Sequence, residues 1–349
     1  MISRGPVLEL EIRERLLGVL EEVPFLRVKD WKVEKREDVD LVLQVTAGKE
    51  QWRLLVEVKQ SGEPRIIRVA AQQLRTLVSD ERQSYGVIGA PYISPRTAGI
   101  CKEAGIGFLD LAGNCRLVFG QVFIERQGFP NPKLERRPLR ALFAPKAGRV
   151  LRVLLEDPKR SCQVQVLARQ AEVSLGLAFK VKQRLLDLEY AQEDEEGLRL
   201  IKPEELIRQW GAGYSYLKSS ALDCYGPGDS RELEQTLVDY CRANSIRHAL
   251  ALFSGAARVA PFARYSRGFA YASYDAAELA RGLGWKPVSS GANFTILTPF
   301  DEGLFYGARD VKGDMVVSDV QLYLDLIGYK GRGEEAATFI LEQRLRPQW

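Results

Sequence analysis

Two interruptions in the apolar patterning, Gly128-Phe129-Pro130 and Trp210-Gly211-Ala212-Gly213, constrain this 349-residue chain more than any motif in it. A core cannot run continuously across glycine and proline breaks where the periodicity changes, so each stretch must bury its own apolar side chains. The sequence therefore divides into residues 1–130, a basic linker at 131–145, a helical module at 146–212 and a further domain at 213–349, of α/β class overall. One histidine, His248, beside Arg247 and ahead of an apolar run, excludes any site needing two imidazoles and reads as structural. Five cysteines, Cys101, Cys115, Cys162, Cys224 and Cys241, are widely spaced with no C-x-x-C pair, so neither a disulfide framework nor a zinc site is expected. No run approaches the ~18 apolar residues of a membrane span, and the opening MISRGPVLELEIRERLL mixes charge into its apolar residues where a signal peptide would not. A cytoplasmic location without membrane contact is expected.

In the first stretch, Leu8, Ile12, Leu16 and Leu20 recur at helical spacing and predict a helix over Val7–Glu22, stopped by Pro24. Strand-like runs follow at Phe25–Val33, Val39–Val45 and Trp52–Val58, the last two joined by a hairpin turn at Ala47-Gly48-Lys49. A helix from Arg65 to Ser79, a buried strand Tyr85–Ala90, a helix Pro95–Glu103, a short strand Gly107–Leu111 and a final strand Arg116–Ile124 complete a mixed sheet with helices on both faces.

Asp40 opens the second strand and Glu57-Val58-Lys59 closes the third. Side chains alternate along a strand, so Glu57 and Lys59 share a face and the hairpin partner can bring Asp40 alongside. Two carboxylates and an amine at one sheet edge suit a hard divalent cation and an attacking water, with Lys59 orienting that water or stabilising phosphate charge. Gln73, on the next helix beside Gln72, could reach the same place, and Arg65 and Arg68 could steer a phosphate backbone or simply face solvent. Asp40, Glu57-Val58-Lys59 and Gln73, in an αβββαβ order over roughly residues 7–125, resemble the PD-(D/E)XK, restriction-endonuclease-like superfamily. Val39 stands where its motif has proline, and no one of Glu9, Glu11 and Glu14 stands out as a further acid. The resemblance implies catalytic roles for Asp40, Glu57, Lys59 and Gln73, with Asp40 and Glu57 holding Mg²⁺.

Residues 131–160, NPKLERRPLRALFAPKAGRVLRVLLEDPKR, carry nine basic and three acidic side chains, more than the whole net charge of +4. Such a linker leading into helices suits phosphate contact, and also suits plain solvation. Helices are predicted at Ala147–Glu156, Val164–Ala171 and Leu175–Leu188, with a short turn at Glu172-Val173-Ser174. The acid-rich Glu193–Glu196 and Gly197 then turn into a strand-like Leu198–Ile201. The layout, with a core from Leu151, Leu154, Leu155, Val166, Leu167, Val181, Leu185 and Leu188, resembles the winged helix-turn-helix of bacterial transcriptional regulators. The resemblance implies a third helix entering the major groove of double-stranded DNA, with Ser174, Gly176, Lys180 and Gln183 facing bases and Lys182 and Arg184 near phosphates. Four consecutive acids in the wing are repelled by phosphate and imply a wing held off DNA or used against a protein.

Beyond residue 213 an α/β domain is expected: helices Arg231–Ala243, Ala276–Leu283, Ser318–Ile327 and Glu334–Gln343, and strands Ala249–Phe253, Phe269–Ser273, Thr295–Leu297 and Gly303–Tyr306. No glycine-rich phosphate loop or nucleophile motif occurs in it. Gln321-Leu322-Tyr323-Leu324-Asp325-Leu326 followed by Gly331-Arg332-Gly333-Glu334-Glu335-Ala336, with ALALFSGAARVAPF earlier, resemble the AbiEi family of type IV antitoxins over about residues 146–349. The resemblance implies an autorepressing DNA-binding regulator in a toxin-antitoxin or phage-defence locus, counteracting a nucleotidyltransferase toxin. A homodimer is left open, and Mg²⁺-dependent DNA cleavage targeted by the winged helix is the competing expectation.

Overall fold

A computed structural model of the chain describes residues 4–32, 39–79, 82–131, 142–262 and 264–349. Most of the basic linker assigned to 131–145, and Val33 at the end of the first expected strand, lie outside these residues. The chain divides into two compact units, residues 1–137 with 187–189, and residues 138–186 with 190–349. Each encloses its own core. No described helix is long and apolar enough to cross a membrane.

The first unit is built on α1 (Arg4–Glu21), β1 (Leu26–Lys32), β2 (Leu41–Ala47), β3 (Glu50–Val58), α2 (Pro64–Ser79), β4 (Ser84–Ala90), α3 (Pro95–Glu103), β5 (Gly107–Asp110), β6 (Cys115–Phe119) and β7 (Val122–Arg126). Its seven strands lie in sequence order, β3, β4 and β5 parallel and the remaining neighbours antiparallel. Alternation in β2 distributes side chains to two cores. Leu41, Leu43 and Val45 pack with Leu8, Ile12 and Leu16 of α1, while Val42 joins Ile67, Ala71 and Leu74 of α2 and Cys101 of α3. Among the described residues the two clusters hold 19 and 14 buried residues, each large side chain contributing roughly 1.5–3 kcal/mol before entropy. Gly89 in β4 has a packing reason: a Cβ there would lie 2.4 Å from Ile12, so glycine lets α1 close onto the sheet. The β2–β3 turn is a two-residue loop, Gly48-Lys49, with Gly48 at φ +63°.

One expectation fails in this unit. The run Arg116–Ile124 forms two strands, β6 and β7, folded back at Gly120-Gln121, where Gly120 takes φ +52°. The apolar periodicity is continuous through the turn, so pattern alone does not show the reversal. Asp110, fully buried at the end of β5, accepts hydrogen bonds from the N–H groups of Ile93, Gly113 and Asn114 and from the Asn114 side-chain amide. That carboxylate ties two loops together and is spent on their backbone.

The second unit begins with three helices, α4 (Pro145–Glu156), α5 (Val164–Gln170) and α6 (Leu175–Asp187), and a hairpin of β8 (Ala191–Asp194) and β9 (Gly197–Leu200). Cys162, between α4 and α5, adds a β-bridge to Leu198. After α7 (Pro203–Gly211) come β10 (Ser220–Tyr225), α8 (Ser230–Ala243), β11 (His248–Leu250), α9 (Leu252–Val259), β12 (Gly268–Ala272), α10 (Ala276–Gly282), β13 (Lys286–Pro287), β14 (Phe294–Thr298), β15 (Arg309–Val311), β16 (Asp314–Val316), α11 (Asp319–Ile327) and α12 (Gly333–Ile340). Their strands form a mixed sheet in the order β13-β10-β14-β12-β11-β16-β15. Buried Arg258 of α9 pairs with Glu234 of α8 at 2.6 Å and Asp314 of β16 at 2.8 Å, pinning both helices to that sheet.

Three corrections apply here. Ala249–Phe253 is a short strand that gives way at Leu252, φ +44°, to α9. Gly303–Tyr306 belongs to a 3₁₀ turn, Glu302–Phe305, capped by the Asp301 carboxylate on the Gly303 N–H. Strand β10 and the β15–β16 hairpin were not anticipated, because their short runs carry charges that mask the alternation. The five cysteines are buried and free, and His248 is buried with Nδ1 2.9 Å from the Ile246 carbonyl.

Candidate nucleic-acid interface

Helix α6 starts at Ser174, whose hydroxyl accepts from the Leu177 N–H. Ala178, Val181 and Leu185 are buried, as are Leu151, Leu154 and Leu155 of α4 and Leu167 of α5. The opposite face carries Ser174, Leu175, Gly176, Phe179, Lys180 and Gln183, every one exposed. Four expected base-facing residues, Ser174, Gly176, Lys180 and Gln183, thus share one outward stripe, joined by two large apolar side chains, Leu175 and Phe179, each about half exposed.

Lys182 and Arg184, the expected phosphate contacts, lie off that stripe and are half-buried. Lys182 is ion-paired with Glu193 of the β8–β9 hairpin and sits 5.8 Å from the Phe179 ring centroid. The charge of Lys182 is therefore engaged by the hairpin. In that hairpin Asp194 accepts from the Glu196 and Gly197 N–H groups and from the Ser161 hydroxyl, which forms the tight turn and leaves Glu195 and Glu196 exposed at its tip.

The basic excess of 131–160 is only partly available to a polyanion. Arg149 reaches Asp301 through two bonds, 2.7 and 3.1 Å. Arg152, 1% exposed, donates to Gln321 at 3.1 and 2.6 Å and lies over the Trp210 ring. Gln321 in turn donates to Tyr214 and to Asp325, and Asp325 accepts from the Tyr271 hydroxyl at 3.0 Å. Burial pushes the Asp325 carboxyl up to about 7, against the pull of Gln321, Tyr271 and Arg152. Burial likewise pushes Glu156, at the end of α4, up to about 7, with nearby Asp319 adding to it against the Ser318 hydroxyl. Arg149, Arg152 and Glu156 lie at i, i+3 and i+7, so one face of α4 is a polar clamp on the rest of the unit. Sequence reasoning missed this clamp. Its signal was Gln321 and Asp325, four residues apart in an otherwise apolar helix.

In the first unit, Asp40 lies one step beyond the Leu41/Val56 pair of the β2–β3 ladder. Its Oδ2 accepts from the Val58 N–H at 2.7 Å, and Glu57 is ion-paired with Lys59. Asp40 is thus tied to the strand that carries the Glu57–Lys59 pair, and all three residues are half-buried. Gln73 is exposed on α2, whose buried face is Ile67, Ala70, Ala71 and Leu74. As a donor set, two carboxylates beside a strand end suit Mg²⁺, which binds through one or two carboxylates and keeps several waters. Lys59 occupies Glu57 and Val58 occupies one Asp40 oxygen, so cation binding would displace the lysine. Among the described residues no group of three or more His, Cys, Asp or Glu is arranged to hold a metal.

No curated protein and no solved structure matches the chain. Residues 199–346, from β9 to the C-terminal helix and wholly inside the second unit, match the family described as transcriptional regulator, AbiEi antitoxin, type IV TA system.

Proposed function

We propose that the chain is a DNA-binding transcriptional regulator of the AbiEi antitoxin type, in which α4–α6 and the β8–β9 hairpin act as a winged helix-turn-helix. The outward stripe of α6 is the observation that carries it. Ser174 and Gly176 lie at the N-terminal end, where a recognition helix meets bases, and Lys180 and Gln183 follow one and two turns later. Gln183 suits the adenine edge, Lys180 a guanine or a phosphate, and Phe179 and Leu175 suit thymine methyl groups. The family match begins at Arg199, in the last strand of this module, and supports the regulator role from the rest of the unit. On this reading the partners are double-stranded DNA and, through the operon, a nucleotidyltransferase toxin, in the cytoplasm. A homodimer would present two α6 helices to half-sites ~34 Å apart. Gel shifts on the protein's own upstream region, against random duplex at several salt concentrations, test it. Affinity that falls with salt and favours the upstream region supports the proposal, and equal affinity for both duplexes counts against it.

A second reading, Mg²⁺-dependent cleavage of a DNA backbone, rests on the convergence of Asp40, Glu57 and Lys59. Asp40 and Glu57 would hold the cation, which would activate water, and Lys59 would face the scissile phosphate. Plasmid nicking with Mg²⁺ or Mn²⁺ that disappears in Asp40→Ala supports it. Equal, background-level nicking by both proteins removes it.

A further inference from the structure

A cleft of about 820 Å³ opens in the second unit beside β10, and neither the DNA-facing helix nor the carboxylate group of the first unit contributes to it. The sheet register builds its floor. Asp223 of β10 pairs across the ladder with Thr295 of β14, which pairs with Phe269 of β12, so three strands deliver one row to the cleft. The Thr295 hydroxyl donates to Asp223 at 2.6 Å, and Arg267, just before β12, reaches the same carboxylate at 3.3 and 3.4 Å. Those last contacts are long, and the Asp223 and Arg267 side chains keep 42% and 36% of their surface in solvent. The walls are aromatic: Tyr216 and Tyr329 stack with centroids 5.9 Å apart, and Phe269 meets Tyr329 edge-on at 5.7 Å. Lys330 is exposed on the rim.

Each feature restricts the occupant. Aromatic walls call for a flat ring. A half-exposed carboxylate held from one side calls for a hydrogen-bond donor on the ligand, and two cations against one anion call for a negatively charged group. The volume lies near the upper end of the roughly 300–1,000 Å³ typical of ligand sites, far more than a free amino acid fills. We infer that the cleft binds a nucleoside phosphate. The base stacks on the Tyr216 and Tyr329 wall, Asp223 accepts from a base amine or a sugar hydroxyl, and Arg267 and Lys330 receive the phosphates.

Position gives the ligand a lever. Tyr329 and Lys330 follow α11 and its cap Gly328, and α11 carries Gln321, which accepts from Arg152 of α4 and donates to Asp325. A nucleotide seated on Tyr329 therefore bears on the helix that anchors the three-helix module. An effect of the ligand on DNA binding rests on the regulator reading, whereas the binding itself does not.

Binding is tested on the full chain without DNA, by equilibrium titration with fluorescent analogues of the four ribonucleoside triphosphates. The expected result is saturable binding of at least one, weakened about tenfold or more in Arg267→Ala and in Lys330→Ala. The unphosphorylated nucleoside should compete at least about tenfold less well, and inorganic phosphate alone should not compete. Lys330 is exposed, so its variant keeps the fold if Arg267→Ala does not. No binding of any of the four up to roughly 1 mM, or binding unchanged in Lys330→Ala, overturns the inference. Because no DNA is present, failure here is separate from failure of the gel shifts.

Discussion

Asp40 shows how one carboxylate can serve two readings with different consequences. As a latch, its Oδ2 satisfies the Val58 N–H at the end of β3, where no further strand residue is available to do so. Removing the acceptor should then cost about 1–2 kcal/mol in chemical denaturation of Asp40→Ala, while Asp40→Asn, which keeps an acceptor oxygen, should cost less than half of that. Equal losses in both variants would show that the negative charge, and not the acceptor, matters there. Asp325 gives a second residue-scale expectation, in pH. Its folded-state value, about 7, stands above the ordinary carboxylate range, as does that of Glu156. A raised acid holds its proton more tightly when folded, so its burial costs nothing below about pH 4, and the cost grows as pH rises through 4 to 7. The midpoint of thermal unfolding should accordingly fall by on the order of 5 °C between pH 5 and pH 8, and Asp325→Asn with Glu156→Gln should flatten the curve. A wild-type curve that rises over that range, or is parallel to the variant's, contradicts the assignment.

At the scale of elements, α4 clamps the three-helix module to the rest of the second unit. Its apolar face fills the core of the three-helix module, and Arg149, Arg152 and Glu156 bind Asp301, Gln321 and the neighbourhood of Ser318. Arg152→Met conserves volume and apolar packing but leaves Gln321 and Asp325 without their cation. Leaving the buried Gln321 carbonyl oxygen without its donor should cost about 1–3 kcal/mol in equilibrium unfolding, and a change below about 0.5 kcal/mol would mean that the clamp contributes little. The hairpin offers a converse expectation. Glu195 and Glu196 project from its tip, so Glu195→Lys with Glu196→Lys should strengthen binding to any duplex and steepen the salt dependence by about one or two units of log–log slope. An unchanged slope would place the hairpin away from the phosphates.

These elements also show what sequence could and could not reveal. The helices α1, α4, α5 and α6 were legible because Leu8, Ile12, Leu16 and Leu20, or Leu151, Leu154 and Leu155, recur on one face and end at proline or a polar cap. Reversals inside an apolar run, at Gly120 and Leu252, were not legible, since a turn changes direction without changing hydrophobicity. Ser174, Gly176, Lys180 and Gln183, named from the resemblance to a winged helix-turn-helix, all lie on the exposed side of α6. Phosphate contact and solvation were the two readings of the basic stretch 131–160, and neither describes Arg152, because a buried arginine and an exposed one look the same until Gln321, some 170 residues away, is brought against it.

On the scale of the whole molecule, the two units have independent cores, and the family match covers only the second. The regulator reading needs that second unit alone to grip DNA through α6. It is tested most directly by fluorescence anisotropy on the protein's own upstream region, comparing wild type with Lys180→Ala plus Gln183→Ala under one salt condition. Loss of a base contact and a nearby cation should weaken specific binding by about 2–4 kcal/mol, while binding to random duplex falls far less and the thermal midpoint stays unchanged. Specific binding that survives the double substitution intact would show that another surface reads the DNA.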